Sequence, residues 1–125
     1  MPRSAYLHTV DLCVLSYCRI SGELKLLLNQ RDAEPFAGHW ALPGVVVNGG
    51  VQDLSLQAAV ERLRASDKVG LDLAWSEQVG TVGDAFRDPR CWSSSTYYLA
   101  IVNEDVTLGE HQRWYSLTAV ASGGI

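Results

Sequence analysis

The chain of 125 residues holds only three cysteines, Cys13, Cys18 and Cys91. An odd count without a CxxC pair argues against a disulfide framework or a structural zinc site, and it suits a reducing cytoplasm. Cys13 falls in a strand-like run, where a buried inert thiol is expected. Charge is sparse as well. Ten Lys and Arg against fourteen Asp and Glu give a net charge of -4 and a pI near 5.2, and the cations form no run. A general nucleic-acid-binding surface is therefore not expected. A small anionic ligand is not excluded, because it needs only two or three placed cations. No window approaches the ~20 apolar residues of a spanning helix. Arg3, His8, Asp11 and Arg19 interrupt residues 1–20, so no secretory apolar segment is present either. His8, His39 and His111 are scattered, with no spacing that suggests a metal site.

What is present is core-forming material. The hydrophobic fraction is 47% and is spread along the chain, which reads as one domain over residues 1–125. A chain of this length buries roughly two-thirds of its unfolded surface. Residues 6–20 are rich in β-branched and aromatic side chains and predict a strand, broken by Ser21-Gly22. Residues 24–30 predict a second strand, hairpin-paired with the first. Residues 31–38 form a polar loop with Pro35 and Gly38. A short apolar run, residues 40–47, is interrupted by Pro43-Gly44, and Asn48-Gly49-Gly50 must turn the chain sharply.

One convincing helix is predicted, over residues 54–66. Leu56, Ala59, Val60 and Leu63 recur at helical spacing, while Glu61, Arg62 and Arg64 take the other side. Asp53 or Ser55 supplies the cap oxygen, and Gly70 lies just past the end. Further strands are predicted over residues 73–82, 92–102 and 112–117. A loop with two arginines, residues 83–90, joins the first two of these. One helix among many strands indicates a mixed sheet covered by few helices.

Residues 40–71 run in a specific order: apolar strand, Leu-Pro-Gly, glycine turn, amphipathic helix, then Gly70-Leu71. This resembles the Nudix box, GX5EX7REUXEEXGU with U aliphatic. Residues 26–31 (LLLNQR), 40–44 (WALPG) and 77–90 (EQVGTVGDAFRDPR) look like the ADP-ribose pyrophosphatase branch, especially the Nudix-related transcriptional regulators of NAD metabolism. The resemblance covers about residues 8–118. It implies an α/β fold, the Nudix α/β/α sandwich around a mixed sheet.

The box departs from the family pattern where its chemistry resides. A Nudix helix gathers carboxylates to hold Mg²⁺ or Mn²⁺, which bind the diphosphate and help generate the attacking water. Anchoring on Gly70-Leu71 places Gly49 at the first glycine and Ser55 at the first glutamate. Leu63-Arg64 then stands for Arg-Glu and Asp67-Lys68 for Glu-Glu. Anchoring on Ala58-Ala59 moves the register by two, so that Arg62 takes a glutamate position and Ala65-Ser66 replace the paired glutamates. Neither register leaves a carboxylate cluster. Asp53, Glu61 and Asp67 are the remaining candidates for catalysis, with Glu61 and Asp67 as candidate metal ligands; otherwise Asp53 is a cap and the other two are solvated. Arg64 or Lys68 would repel a metal there. A basic side chain can meet a phosphate, but it cannot make a bound water nucleophilic.

The resemblance also marks ligand-binding candidates. Arg31 looks like a ligand-facing arginine; the alternative is a surface residue. Arg87 and Arg90 make a fork for phosphate, or else an Arg–Asp pair ties their loop. Trp40 or Trp92 stacks on an adenine, or packs in the core.

The leading expectation is a degenerate Nudix domain that binds ADP-ribose or a related nucleoside diphosphate compound with little hydrolysis and no metal. A second is an active hydrolase of such compounds that uses Mg²⁺ or Mn²⁺. A third is a dimerisation or interaction module with a vestigial pocket. The family's regulators continue into a winged helix-turn-helix, and this chain carries no DNA-binding motif. A missing covering helix would bare one sheet face, so a homodimer is expected, with no membrane partner.

Overall fold

The computed structural model describes residues 6–34, 36–48, 52–71, 73, 75–102 and 108–121. Strand β1 (Tyr6–Tyr17) alternates cleanly. Val10, Leu12 and Val14 are fully buried, and Thr9, Asp11 and Cys13, which alternate with them, are half-buried on the other face. β2 (Leu24–Gln30) pairs antiparallel with it, Leu15 opposite Leu26, as the hairpin reading expects. The Pro43-Gly44 break divides the next apolar run into β3 (Trp40–Ala41) on β2 and β4 (Gly44–Val46) on β1. Helix α1 (Leu56–Ala65) follows, then β5 (Trp75–Asp84), β6 (Trp92–Val102), β7 (Gln112–Ser116) and α2 (Leu117–Ala121).

The sheet runs β3-β2-β1-β6-β5, with β4 also on β1 and β7 also on β2. β1 and β6 are parallel, from Tyr6 opposite Trp92 to Ser16 opposite Val102, and the other pairs are antiparallel. A parallel pair needs a long crossover, and α1 lies within that connection. The helix packs on β1 and β4, where Ala59, Val60 and Leu63 join Val10, Leu12, Val14, Leu27, Tyr98 and Ala100 in the core. Mixed sheet and sparse helices make the α/β fold that the residue pattern predicts.

Several limits differ from the sequence reading: β1 stops at Tyr17, short of Ile20, and α1 begins at Leu56. β5 begins at Trp75, not at Leu73, because Leu73 turns into the core and is only 6% exposed. α1 ends at Ala65, where Ser66 caps it by donating from both its N–H and Oγ to the Leu63 carbonyl. Gly70, at φ +59°, turns the chain four residues later. The final strand stops at Ser116 and a short second helix, α2, packs on β2 and β7.

Gly44 carries a steric constraint. It lies opposite Asp11 in the β1–β4 ladder, and a methyl group there would overlap the Asp11 carboxylate and come within 3.2 Å of the Val10 carbonyl. Gly44→Ala is expected to destabilise the fold by about 1–3 kcal/mol, measured by urea denaturation. In an Asp11→Ala background most of that penalty should vanish. An equal penalty in both backgrounds would place the clash on the backbone instead.

Candidate functional site

The segment leading into α1 is folded onto itself. The Asn48 carbonyl accepts from the N–H groups of Gln52 and Asp53, and Asn48 Nδ2 donates to Gln52 Oε1. Gly49 and Gly50, read as the turn, lie outside the described residues. Of the two candidate caps, Ser55 fills the position, its side chain accepting from Ala58 N at 3.0 Å.

Asp53 does something else. Its side chain is 1% exposed and receives a two-pronged contact from Arg62, with Nε to Oδ1 at 3.1 Å and the terminal Nη2 to Oδ2 at 2.7 Å. Asn48 N donates to the same Oδ2 at 2.8 Å. The Arg62 guanidinium first, and the Asn48 N–H second, hold the Asp53 carboxyl below the usual carboxylate range against the opposing effect of burial. The same contact raises Arg62.

Arg62 also donates to the Val46 carbonyl at 2.9 Å, and Lys68 Nζ donates to the Gly44 carbonyl at 2.6 Å. Two cations thus line the edge of β4 that faces away from β1. Lys68 is positioned by its own backbone, whose carbonyl accepts from Asn29 Nδ2 and Gln112 Nε2. Beside them lies an open groove of about 450 Å³, lined by Val45, Val46, Val47, Asn48, Gln52, Arg62 and Lys68.

The three candidate carboxylates do not converge. Asp53 is taken by Arg62. Glu61 Oε1 accepts from Gln57 and pairs with Arg64 at 3.1 Å on the exposed face of α1. Asp67 lies beyond the helix end and is exposed, so helical spacing no longer relates it to Glu61. Among the described residues, no group of three or more His, Cys, Asp or Glu could hold a metal ion. Of the two cations expected near the metal position, Lys68 lines the groove while Arg64 pairs with Glu61; the Asp53–Arg62 pair is what the sequence reading missed, and its cue was an arginine nine positions after Asp53.

The ligand candidates lie elsewhere. Arg31 exchanges backbone hydrogen bonds with His39 and Gly38 at the end of β2. Trp40 packs against Tyr115 with ring centroids 5.5 Å apart, and the Arg113 guanidinium lies 5.1 Å from its ring. Trp92 stacks obliquely with Tyr6. Asp84 accepts from the N–H groups of Phe86 and Arg87 and so organises the loop after β5. There Arg90 forks onto Asp88 and holds that carboxyl down at about 2. Arg87 donates instead to Ser93 Oγ at 3.0 Å. The loop is internally tied through Arg90 and Asp88.

No protein-family model matches the chain. The chain is similar to the Nudix domain of Shewanella oneidensis NrtR, solved in complex with ADP ribose. That likeness has a TM-score of 0.79 at 33% identity and covers 96% of this chain and 79% of that one. With this fold and site, the chain belongs to the Nudix family. It is also 38% identical over 116 residues to the ADPR responsive transcriptional repressor NtrR of Acinetobacter baylyi, covering 89% of this chain and 45% of the relative. The chain therefore spans under half the length of that curated relative. A MutT/nudix family protein from Enterococcus faecalis superposes with a TM-score of 0.77 at 30% identity, over 93% of this chain and 46% of that one.

The Asp53–Arg62 pair has a defined acid response. Asp53 is depressed below 3.8 in the folded state, so its contribution is fully present above that pH and is lost as pH falls through the folded value. Urea denaturation from pH 6 to pH 2 should show this loss. Asp53→Asn should be less stable at pH 6 and lose less on acidification. Parallel curves for the two proteins would show that the pair contributes nothing.

Proposed function

We propose that this chain is a binding-type Nudix domain that takes ADP-ribose or a related nucleoside diphosphate compound and does not hydrolyse it efficiently. The observation that carries this reading is the neutralised carboxylate. Asp53, the most buried acidic side chain near the box, has both oxygens occupied by Arg62 and the Asn48 N–H. Glu61 is paired on another face and Asp67 has left the helix. Hydrolysis in this family's manner requires oxygen ligands converging on a divalent ion at about 2–2.6 Å, and such ions generate the nucleophile. The likeness to a Nudix domain complexed with ADP ribose supports the choice of ligand.

Trp40 is the candidate for the base, and Arg31, Arg87 and Arg90 are candidates for the ligand's other polar groups. Arg90 would have to trade its Asp88 partner for ligand oxygens, whereas the Arg87 guanidinium donates to the Ser93 hydroxyl. Half-exposed Trp75, Val82 and Ile101 along β5 and β6 support a homodimer as the working unit. No described helix is long and apolar enough to cross a membrane, in keeping with a cytoplasmic setting.

Thermal unfolding with and without ADP-ribose, each with Mg²⁺ or EDTA, tests the reading, with products assayed on the same samples. At ~100 times its dissociation constant, the ligand should stabilise the fold by about 2.7 kcal/mol. The shift should be the same in EDTA, with no turnover. Turnover that needs Mg²⁺ would overturn the proposal, as would a failure of ADP-ribose and of a panel of other nucleoside diphosphate compounds to shift the transition.

A further inference from the structure

The groove beside β4 is chemically unlike a metal site. Its polar lining consists of two cations, Arg62 and Lys68, and two amides, Asn48 and Gln52; the carboxylate behind it, Asp53, is neutralised by Arg62. The charge of Arg62 is matched by Asp53, and Lys68 has no acidic partner among the described ion pairs, so the groove carries an excess of positive charge. The two cations are held on the carbonyls of Gly44 and Val46, alternate residues of one strand. Alternate strand residues are roughly 6.6 Å apart. A diphosphate, with oxygens on two bridged phosphorus atoms, can reach both cations at once.

We propose that this groove is a metal-independent diphosphate site, in which Lys68 supplies the positive charge and Arg62, Asn48 and Gln52 supply donors. The inference rests on the nucleotide-binding reading above and assigns the phosphates to residues other than the arginines of residues 83–90. An ammonium offers three donors, so Lys68 can keep the Gly44 carbonyl and still donate to phosphate. Binding in the groove forms and breaks no covalent bond. Affinity there depends on protein charge and on salt, not on a divalent ion.

Isothermal titration in EDTA and in Mg²⁺ decides this, with inorganic pyrophosphate and ADP-ribose as separate probes. Lys68 is exposed, so Lys68→Gln and Lys68→Arg should both fold, which a thermal melt checks. Arg19→Gln removes an equally exposed cation from the turn after β1 and controls for net charge. The expected result is pyrophosphate binding in EDTA, weakened about tenfold or more by Lys68→Gln, the scale of one charge-assisted hydrogen bond. Lys68→Arg should retain most of the affinity and Arg19→Gln nearly all of it. Pyrophosphate binding that requires Mg²⁺, or that is indifferent to Lys68→Gln, overturns the groove. If ADP-ribose binds regardless of Lys68, the groove falls and the nucleotide reading stands. If pyrophosphate binds through Lys68 and ADP-ribose does not bind, the groove stands and the nucleotide reading falls. If neither probe binds, both fall.

Discussion

The ion pair between Asp53 and Arg62 is the constraint on which the rest of this site depends. It joins the segment before the helix to the second turn of the helix, and through the Val46 carbonyl it joins both to the sheet. A carboxylate this buried needs such a partner, because an uncompensated buried charge is costly. Asp53 receives two arginine nitrogens and a backbone N–H. Those contacts use three of its roughly four lone-pair sites and set a guanidinium against it, so a divalent ion there would meet the charge of Arg62. The pair therefore decides the chemistry of the pocket as well as its shape.

Much of the architecture was legible because it follows from local pattern. Strands over residues 24–30 and 92–102 are bounded by turn residues and filled with β-formers, and the structure has them at those limits. The helix stripe of Leu56, Ala59, Val60 and Leu63 faces the core as its period requires. Legibility failed where long-range packing chose between local options. Leu73 is apolar enough to begin a strand, yet the core takes it. The five residues of α2 are too few to express a helical period. The Asp53–Arg62 pair spans the helix boundary, so helical spacing cannot relate its members. The candidate site was readable as a deficit of carboxylates with Arg64 or Lys68 in their place; that Lys68 and Arg62, and not Arg64, line the groove required coordinates.

That substitution separates two functions that a metal performs together. A divalent ion attracts the diphosphate and also acidifies a bound water. A guanidinium or an ammonium does the first and not the second, because it offers donors and has no open coordination position for water. A Nudix scaffold that lacks the box carboxylates and lines its groove with Arg62 and Lys68 can keep recognition and lose turnover. For a protein that reads the concentration of a ligand, this is an advantage, because a sensor that destroys its ligand reports its own activity as well as the signal.

The same cations also complete the fold. β4 pairs with β1 along one edge, which leaves carbonyls on its other edge in need of donors. Arg62 and Lys68 supply them at Val46 and Gly44. Their side chains are therefore held in place before any ligand arrives, and little rotamer freedom remains to be lost on binding. Gly44 fits this arrangement for a steric reason, since a side chain there would collide with Asp11. Strand geometry sets the spacing of the two carbonyls, the carbonyls set the spacing of the cations, and the cations set the size of the anion that can bridge them. Recognition by this groove is thereby tied to the backbone of a single short strand.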